Sequence, residues 1–249
     1  MILFLLTIIV ISSYVILHAL EFTSFSARVA GRISHRVALG TTISQTVYTL
    51  SRFAILLFLP SLAYLVESGI TIYDYIALVI VAYSFALIVS AIMLIKLNSL
   101  QQFFQMLFIK YNENTLPVAI LKTLFNRKKI DLNLKNCDGF TFDKVIFKKT
   151  SVSFLAYIFL ITGFFNAFML AVLFPESRLT LSQFTALFHG FGALTFAFYI
   201  DPMLSRSIDT YSDDVSWLKN VYSILIGRML SYIAMIIFLL ILLAALNFA

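Results

Sequence analysis

Apolar residues in this chain fall into six long runs separated by short polar or basic breaks. At about 20 residues per membrane crossing, the runs predict spans at roughly 2–20, 37–66, 71–95, 151–174, 179–200 and 222–248. One long polar stretch remains, 97–150. Within it LQQFFQMLFIKY and LPVAILKTLF have the mixed pattern of short amphipathic helices lying along an interface, and Asp138-Gly139 is a turn signal. The expected fold class is therefore all-α. It is a polytopic membrane helix bundle of about six transmembrane helices, with a basic cytoplasmic or interfacial segment between the third and fourth. No repeat or linker divides it, so 1–249 reads as a single membrane domain. The first run is expected to stay as a span: it lacks a basic leader and a small-residue cleavage site, and it exceeds the usual signal length.

Composition agrees with the pattern. With 61% hydrophobic and 12% charged residues and a mean hydropathy of +0.97, a soluble domain is excluded. A net charge of +6 would suggest nucleic acid in a soluble protein. Here the positive charges flank membrane segments, so no nucleic-acid partner is expected. Arg28, Arg32 and Arg36 follow the first span. Lys110, Lys122, Arg127, Lys128, Lys129, Lys135, Lys144, Lys148 and Lys149 lie between the third and fourth. Both groups are expected in the cytoplasm, which places both termini outside. The 201–220 segment is discordant, because Asp201, Asp209, Asp213 and Asp214 outnumber Arg206 and Lys219; acidic residues count little in this rule. The single Cys137 allows no internal disulfide and no zinc site.

Arg28, Arg32 and Arg36 recur every four residues and would share one face of a helix. Such a row suits a phosphate or pyrophosphate gripped bidentately; topological anchoring explains it equally well. Gly31 interrupts the row and is a candidate for the turn into the second span.

The first half of that second span is polar. Thr41 or Thr42, Gln45, Thr49 and Arg52 recur at three- or four-residue spacing and form a stripe. Arg52 lies ~22 Å along the helix from Val37, near mid-membrane. Hydroxyls and amides are common glue between membrane helices. A buried arginine asks for more, and a cavity open to the cytoplasm answers it. His189, in FHGFGA, is expected at a similar depth, as a packed residue or as a proton carrier. Glu21 and Asp201 end their spans at one level, where either can pair with the arginine row or with Arg52, or simply face water. Arg228 is expected to snorkel to the interface.

No phosphate-binding loop, HExxH or GxSxG is present. No metal site and no cofactor is expected. The nearest arrangement is Asp209, Asp213 and Asp214 with Asp201 upstream, which could hold Mg²⁺ against a diphosphate. That leaves open a Mg-dependent transferase or phosphatase acting on polyprenyl phosphates.

RVAGRISHRVALGTTISQTVYTLSR resembles the motif region of the Amj family, bacterial lipid II flippases that serve as an alternate to MurJ. The resemblance rests on Arg28, Ala30, Gly31, Arg36, Gln45, Ser51 and Arg52, and on Asp201, Pro202 and Asp209. Gln45 stands where asparagine is usual, and Phe53 where a small polar residue is. The resemblance implies a flippase in the bacterial cytoplasmic membrane, rather than an enzyme. It would move an undecaprenyl-pyrophosphate-linked saccharide, lipid II or a related precursor, from the inner to the outer leaflet. Its partners would be that polyprenyl-linked glycolipid and the surrounding lipids. Arg28, Arg32, Arg36, Gln45 and Arg52 would bind the headgroup. His189, Glu21 and Asp201 would carry protons or form ion pairs.

Overall fold

The structure, a computed structural model, describes residues 2–125, 140–211 and 213–248. Cys137, the expected turn at Asp138-Gly139, and Arg127, Lys128, Lys129 and Lys135 lie outside the described residues. Ten α-helices are described: α1 (Ile2–Ile33), α2 (Val37–Leu50), α3 (Arg52–Glu67), α4 (Ile72–Ile95), α5 (Leu97–Tyr111), α6 (Leu116–Phe125), α7 (Phe147–Leu173), α8 (Arg178–Thr195), α9 (Asp201–Thr210) and α10 (Asp214–Phe248). A π turn, Phe196–Ile200, joins α8 to α9 without a break.

Five rods are long and apolar enough to cross a membrane: α1, the α2–α3 rod, α4, α7 and α10. The chain is thus a multi-pass membrane protein built as a helical bundle. The expected fifth span, α8, is not among the five. It carries Thr180, Ser182, Gln183, Thr185 and His189 where the others carry aliphatics. It nevertheless traverses the bundle. At one end Arg178 Nη1 donates to the carbonyl of Glu67 at 3.3 Å. At the other, Asp201 reaches Arg28. Both chain ends sit at the Glu67 end: Leu3 and Phe4 lie beside the 68–74 turn, and the Tyr73 hydroxyl donates to the carbonyl of Leu246 at 3.0 Å.

Several boundaries differ from expectation. α1 continues to Ile33, which carries Arg28 and Arg32 on the helix itself, and α10 begins eight residues before 222. Helical hydrogen bonding continues past the apolar run into the polar flanks, where hydropathy has no signal. Gly31 does not make the turn. That falls at His35, with φ 55°. Gly31 is instead where α1 and α2 cross: a Cβ built on it would lie 2.6 Å from the Cα of Gly40, and the reverse holds equally. α7 and α8 touch in the same way, Gly163 against the backbone of His189 and Gly192 against that of Leu160. Small residues let membrane helices approach closely where no hydrophobic driving force separates protein from lipid.

The core is asymmetric along the bundle axis. Toward the Glu67 end it is closed by aromatic rings from four helices, Tyr14, Phe58, Tyr83 and Phe165, with centroids 4.9–5.7 Å apart. At the opposite end α5 and α6 cover α1 and α2. Phe104, Leu107 and Phe108 of α5 and Ala119 of α6 bury Ala27, Ala30 and Ile43. The two amphipathic helices thus pack their apolar faces on the bundle.

Candidate functional site

Between the aromatic closure and the basic end lies a hollow of about 140 Å³. Its walls come from α1 (Glu21, Ser24, Phe25, Arg28), α2 (Ser44, Gln45, Tyr48), α7 (Tyr157, Leu160) and the α8–α9 junction (Ala193, Phe196, Ala197, Asp201). From Arg28 to Glu21 is seven residues of one helix, so the hollow runs ~10 Å into the bundle.

Each wall follows from local structure. Arg28 and Ser44 are brought together by the Gly31–Gly40 crossing, and Arg28 Nε donates to Ser44 Oγ at 3.2 Å. Asp201 follows the π turn, whose extra residue advances the register before α9; such bulges are frequent at functional positions. Arg28 Nη1 and Asp201 Oδ1 form an ion pair at 2.7 Å, with side chains 13% and 31% exposed. This pair bridges the mouth of the hollow.

At the deep end the α2–α3 rod is jointed at Ser51, whose hydroxyl donates to the carbonyl of Tyr48 at 2.6 Å. Arg52, the first residue of α3, donates through Nη2 to the Tyr48 hydroxyl at 2.5 Å and lies 4.7 Å from that ring. Its Nη1 is 3.2 Å from His189 Nε2. Arginine only donates, so Nε2 accepts and Nδ1 carries the proton, facing the carbonyl of Leu160 at 3.4 Å. His189 is stacked on Phe164, centroids 4.7 Å apart. Arg52 is half-buried and reaches the hollow's edge through Tyr48 and Leu160, both of which line it.

The expected residues thus distribute unevenly. Arg28, Gln45, Glu21 and Asp201 line the hollow, and Arg52 and His189 meet each other beside it. The row of three arginines does not stay together. Arg32 donates to Asp214 Oδ1 at 3.0 Å and to the carbonyls of Ile208 and Tyr211. Arg36 lies beyond the end of α1 and turns to α5, donating to the carbonyl of Phe108 and to Asn112 Oδ1. The threonine stripe also shifts. Thr41, Thr42 and Thr46 donate back to carbonyls of their own helix, and Ser44 and Tyr48 line the hollow with Gln45.

Arg228 does not snorkel. It is fully buried, 3.0 Å from Glu21 Oε2, with its guanidinium 5.0 Å above the Tyr157 ring. Glu21 therefore pairs with Arg228 and His18, and not with the arginine row or Arg52. The snorkelling rule presumes a path to the interface; here compensating groups lie inside, which a linear sequence does not show. His18 was hidden within an aliphatic run and gave no signal.

The acidic residues near α9 are engaged separately. Asp201 pairs with Arg28, Asp214 with Arg32, and Asp213 Oδ2 caps α10 by accepting from the backbone N–H of Ser216 at 2.8 Å. That local hydrogen bond holds the Asp213 carboxyl below its usual range. Among the described residues, no three His, Cys, Asp or Glu side chains stand close enough to hold a metal ion.

A family model described as Amj, alternate to MurJ, matches residues 14–246. No curated protein matches the chain, and no solved structure does. The match takes in every wall of the hollow and runs nearly from end to end, so this chain belongs to the Amj family, the alternate to MurJ.

Proposed function

We propose that the protein is a flippase that carries an undecaprenyl-pyrophosphate-linked saccharide, lipid II or a close relative, from the cytoplasmic to the outer leaflet of a bacterial inner membrane. The observation that supports this reading is the hollow: a cavity of mixed polar and apolar lining, with Arg28 at its mouth, inside a bundle of membrane-spanning helices in a chain of the Amj family. Family membership alone favours transport over catalysis.

The geometry suits a pyrophosphate. Arg28 offers a fork of N–H donors at the mouth, able to bind phosphate bidentately. Its present partner is Asp201, whose carboxylate a bound dianion replaces on the guanidinium. Gln45, Ser44 and Ser24 supply further polar contacts along the wall. Arg52, oriented by Tyr48 and His189, receives the charge at the deep end. Arg32 and Arg36, read from sequence as part of the same grip, hold α9–α10 and α5 in place around the mouth.

The hollow has room for several waters or a pyrophosphate; a disaccharide needs the mouth to widen. By the positive-inside rule the Arg28 end faces the cytoplasm, which puts both termini outside.

The test is translocation of fluorescent lipid II by purified protein in liposomes. Wild type is expected to flip it. Arg52→Ala and Arg52→Lys, both inserted normally, are expected to lose at least ~10-fold in rate, equivalent to ~1.4 kcal/mol. Full rates in both variants would overturn the assignment of Arg52.

A further inference from the structure

Beneath the hollow, α1 and α10 enclose ionisable groups that the headgroup contacts do not use. His18, Glu21 and Arg228 are 2%, 7% and 0% exposed. Arg228 Nη2 donates to Glu21 Oε2 at 3.0 Å and to the carbonyl of His18 at 3.1 Å, and lies 2.6 Å from His18 Nδ1. The same Nδ1 is 3.2 Å from Glu21 Oε2. One ring nitrogen thus faces a permanent donor and a permanent acceptor of opposite charge, and it can satisfy only one of them.

Where Nη2 shares a proton with Nδ1, the neutral ring carries its own proton on Nε2, which has no hydrogen-bond partner among the described residues. A proton arriving at Nδ1 reverses this. The new N–H faces Glu21, and the Nη2···Nδ1 hydrogen bond must break because two donors now oppose each other. The cluster passes from one positive and one negative charge to a net charge of +1, with no electron transferred. Glu21 lines the hollow, so water there supplies the proton and takes it back.

The surroundings hold this charge in register without neutralising it. From α1, Tyr14 lies 4.3 Å from the His18 ring; from α10, Tyr232 lies 5.7 Å away; from α7, Tyr157 sits under Arg228; from α4, Tyr83 packs against Tyr232. Tyr48 of α2, Arg52 of α3 and His189 of α8 act at longer range. Among the described residues, Glu21 is the one acidic group in contact with His18.

We propose that His18 Nδ1, held between Glu21 and Arg228, is a proton-binding site coupled to an anion in the hollow. This rests on the pyrophosphate reading of that hollow. An anion beside Glu21 and Tyr157 stabilises the added positive charge, and by reciprocity the bound proton tightens the anion by the same factor.

The experiment is calorimetric titration of the purified full-length protein with farnesyl pyrophosphate, in buffers of differing ionisation enthalpy. Wild type is expected to take up about half a proton more per ligand bound than His18→Gln, averaged between pH 6 and pH 8. Its affinity should rise ~10-fold from pH 8 to pH 6 relative to that variant. Protonation of the ligand itself is common to both and cancels. His18→Asn, which keeps the Glu21–Arg228 pair intact, is expected to lose the same uptake and decides the matter if His18→Gln does not fold. Equal uptake in wild type and a binding-competent variant overturns the proton site and leaves the anion reading standing. Absence of binding by wild type overturns both.

Discussion

Arg228 has no route to water, so its charge must be compensated where it stands. Glu21, the carbonyl of His18 and the Tyr157 ring do this. Removing one member of a buried pair strands the other, at ~3–5 kcal/mol, whereas replacing both is often close to neutral. Arg228→Met is therefore expected to lower the thermal unfolding transition in detergent sharply, and Glu21→Gln/Arg228→Met to recover most of the loss. A double variant no more stable than the single would show that the pair does not hold α10 to α1. His189 has a different part: it fixes one end of the Arg52 guanidinium while Tyr48 fixes the other, leaving the arginine with little freedom to turn into lipid.

At the scale of helices, the glycines decide which elements can touch. The Gly31–Gly40 crossing leaves no space for a methyl group. Gly31→Ala and Gly40→Ala are each expected to destabilise by ~1–3 kcal/mol through overpacking, and to pull Arg28 away from Ser44. Gly190, with nothing within 4 Å of a built Cβ, is expected to accept alanine with no change in unfolding temperature. An equal loss at Gly190 would show that crowding at the crossing is not the cause.

The same helices show what could be read from sequence. Apolar runs of the right length identified α1, the α2–α3 rod, α4, α7 and α10, because burying backbone in hydrocarbon demands long uninterrupted helices. They did not reveal where α1 ends, which depends on hydrogen bonds beyond the apolar run, or that the buried Ser51 divides the second rod. α8 looked like an ordinary span because its polar residues, Thr180, Ser182, Gln183, Thr185 and His189, are scattered among apolar ones. Arg52 and His189 each stood out as polar residues deep in apolar runs. Their contact joins residues 137 positions apart and required the fold. Even spacing suggested that Arg28, Arg32 and Arg36 act together, but the turn at His35 separates the third from the others.

The whole molecule is a bundle with unlike ends. One end is closed by Tyr14, Phe58, Tyr83 and Phe165 and holds both chain termini. The other carries most of the basic residues, the two covering helices and the mouth of the hollow. Such a polarity suits a carrier resting with its binding site toward one aqueous phase. The central claim, that this cavity is wet and receives an anionic lipid head, can be tested by chemical labelling. Cys137 is the sole cysteine in the chain, so Cys137→Ser gives a background in which Gln45→Cys reports on the wall. We predict that in inside-out membrane vesicles a charged, impermeant thiol reagent labels position 45, and that farnesyl pyrophosphate slows the reaction. Val10→Cys, fully buried in the core, should stay unlabelled. If position 45 is as unreactive as position 10, or reacts at the same rate with and without the pyrophosphate, the cavity is not the site at which a lipid headgroup is bound.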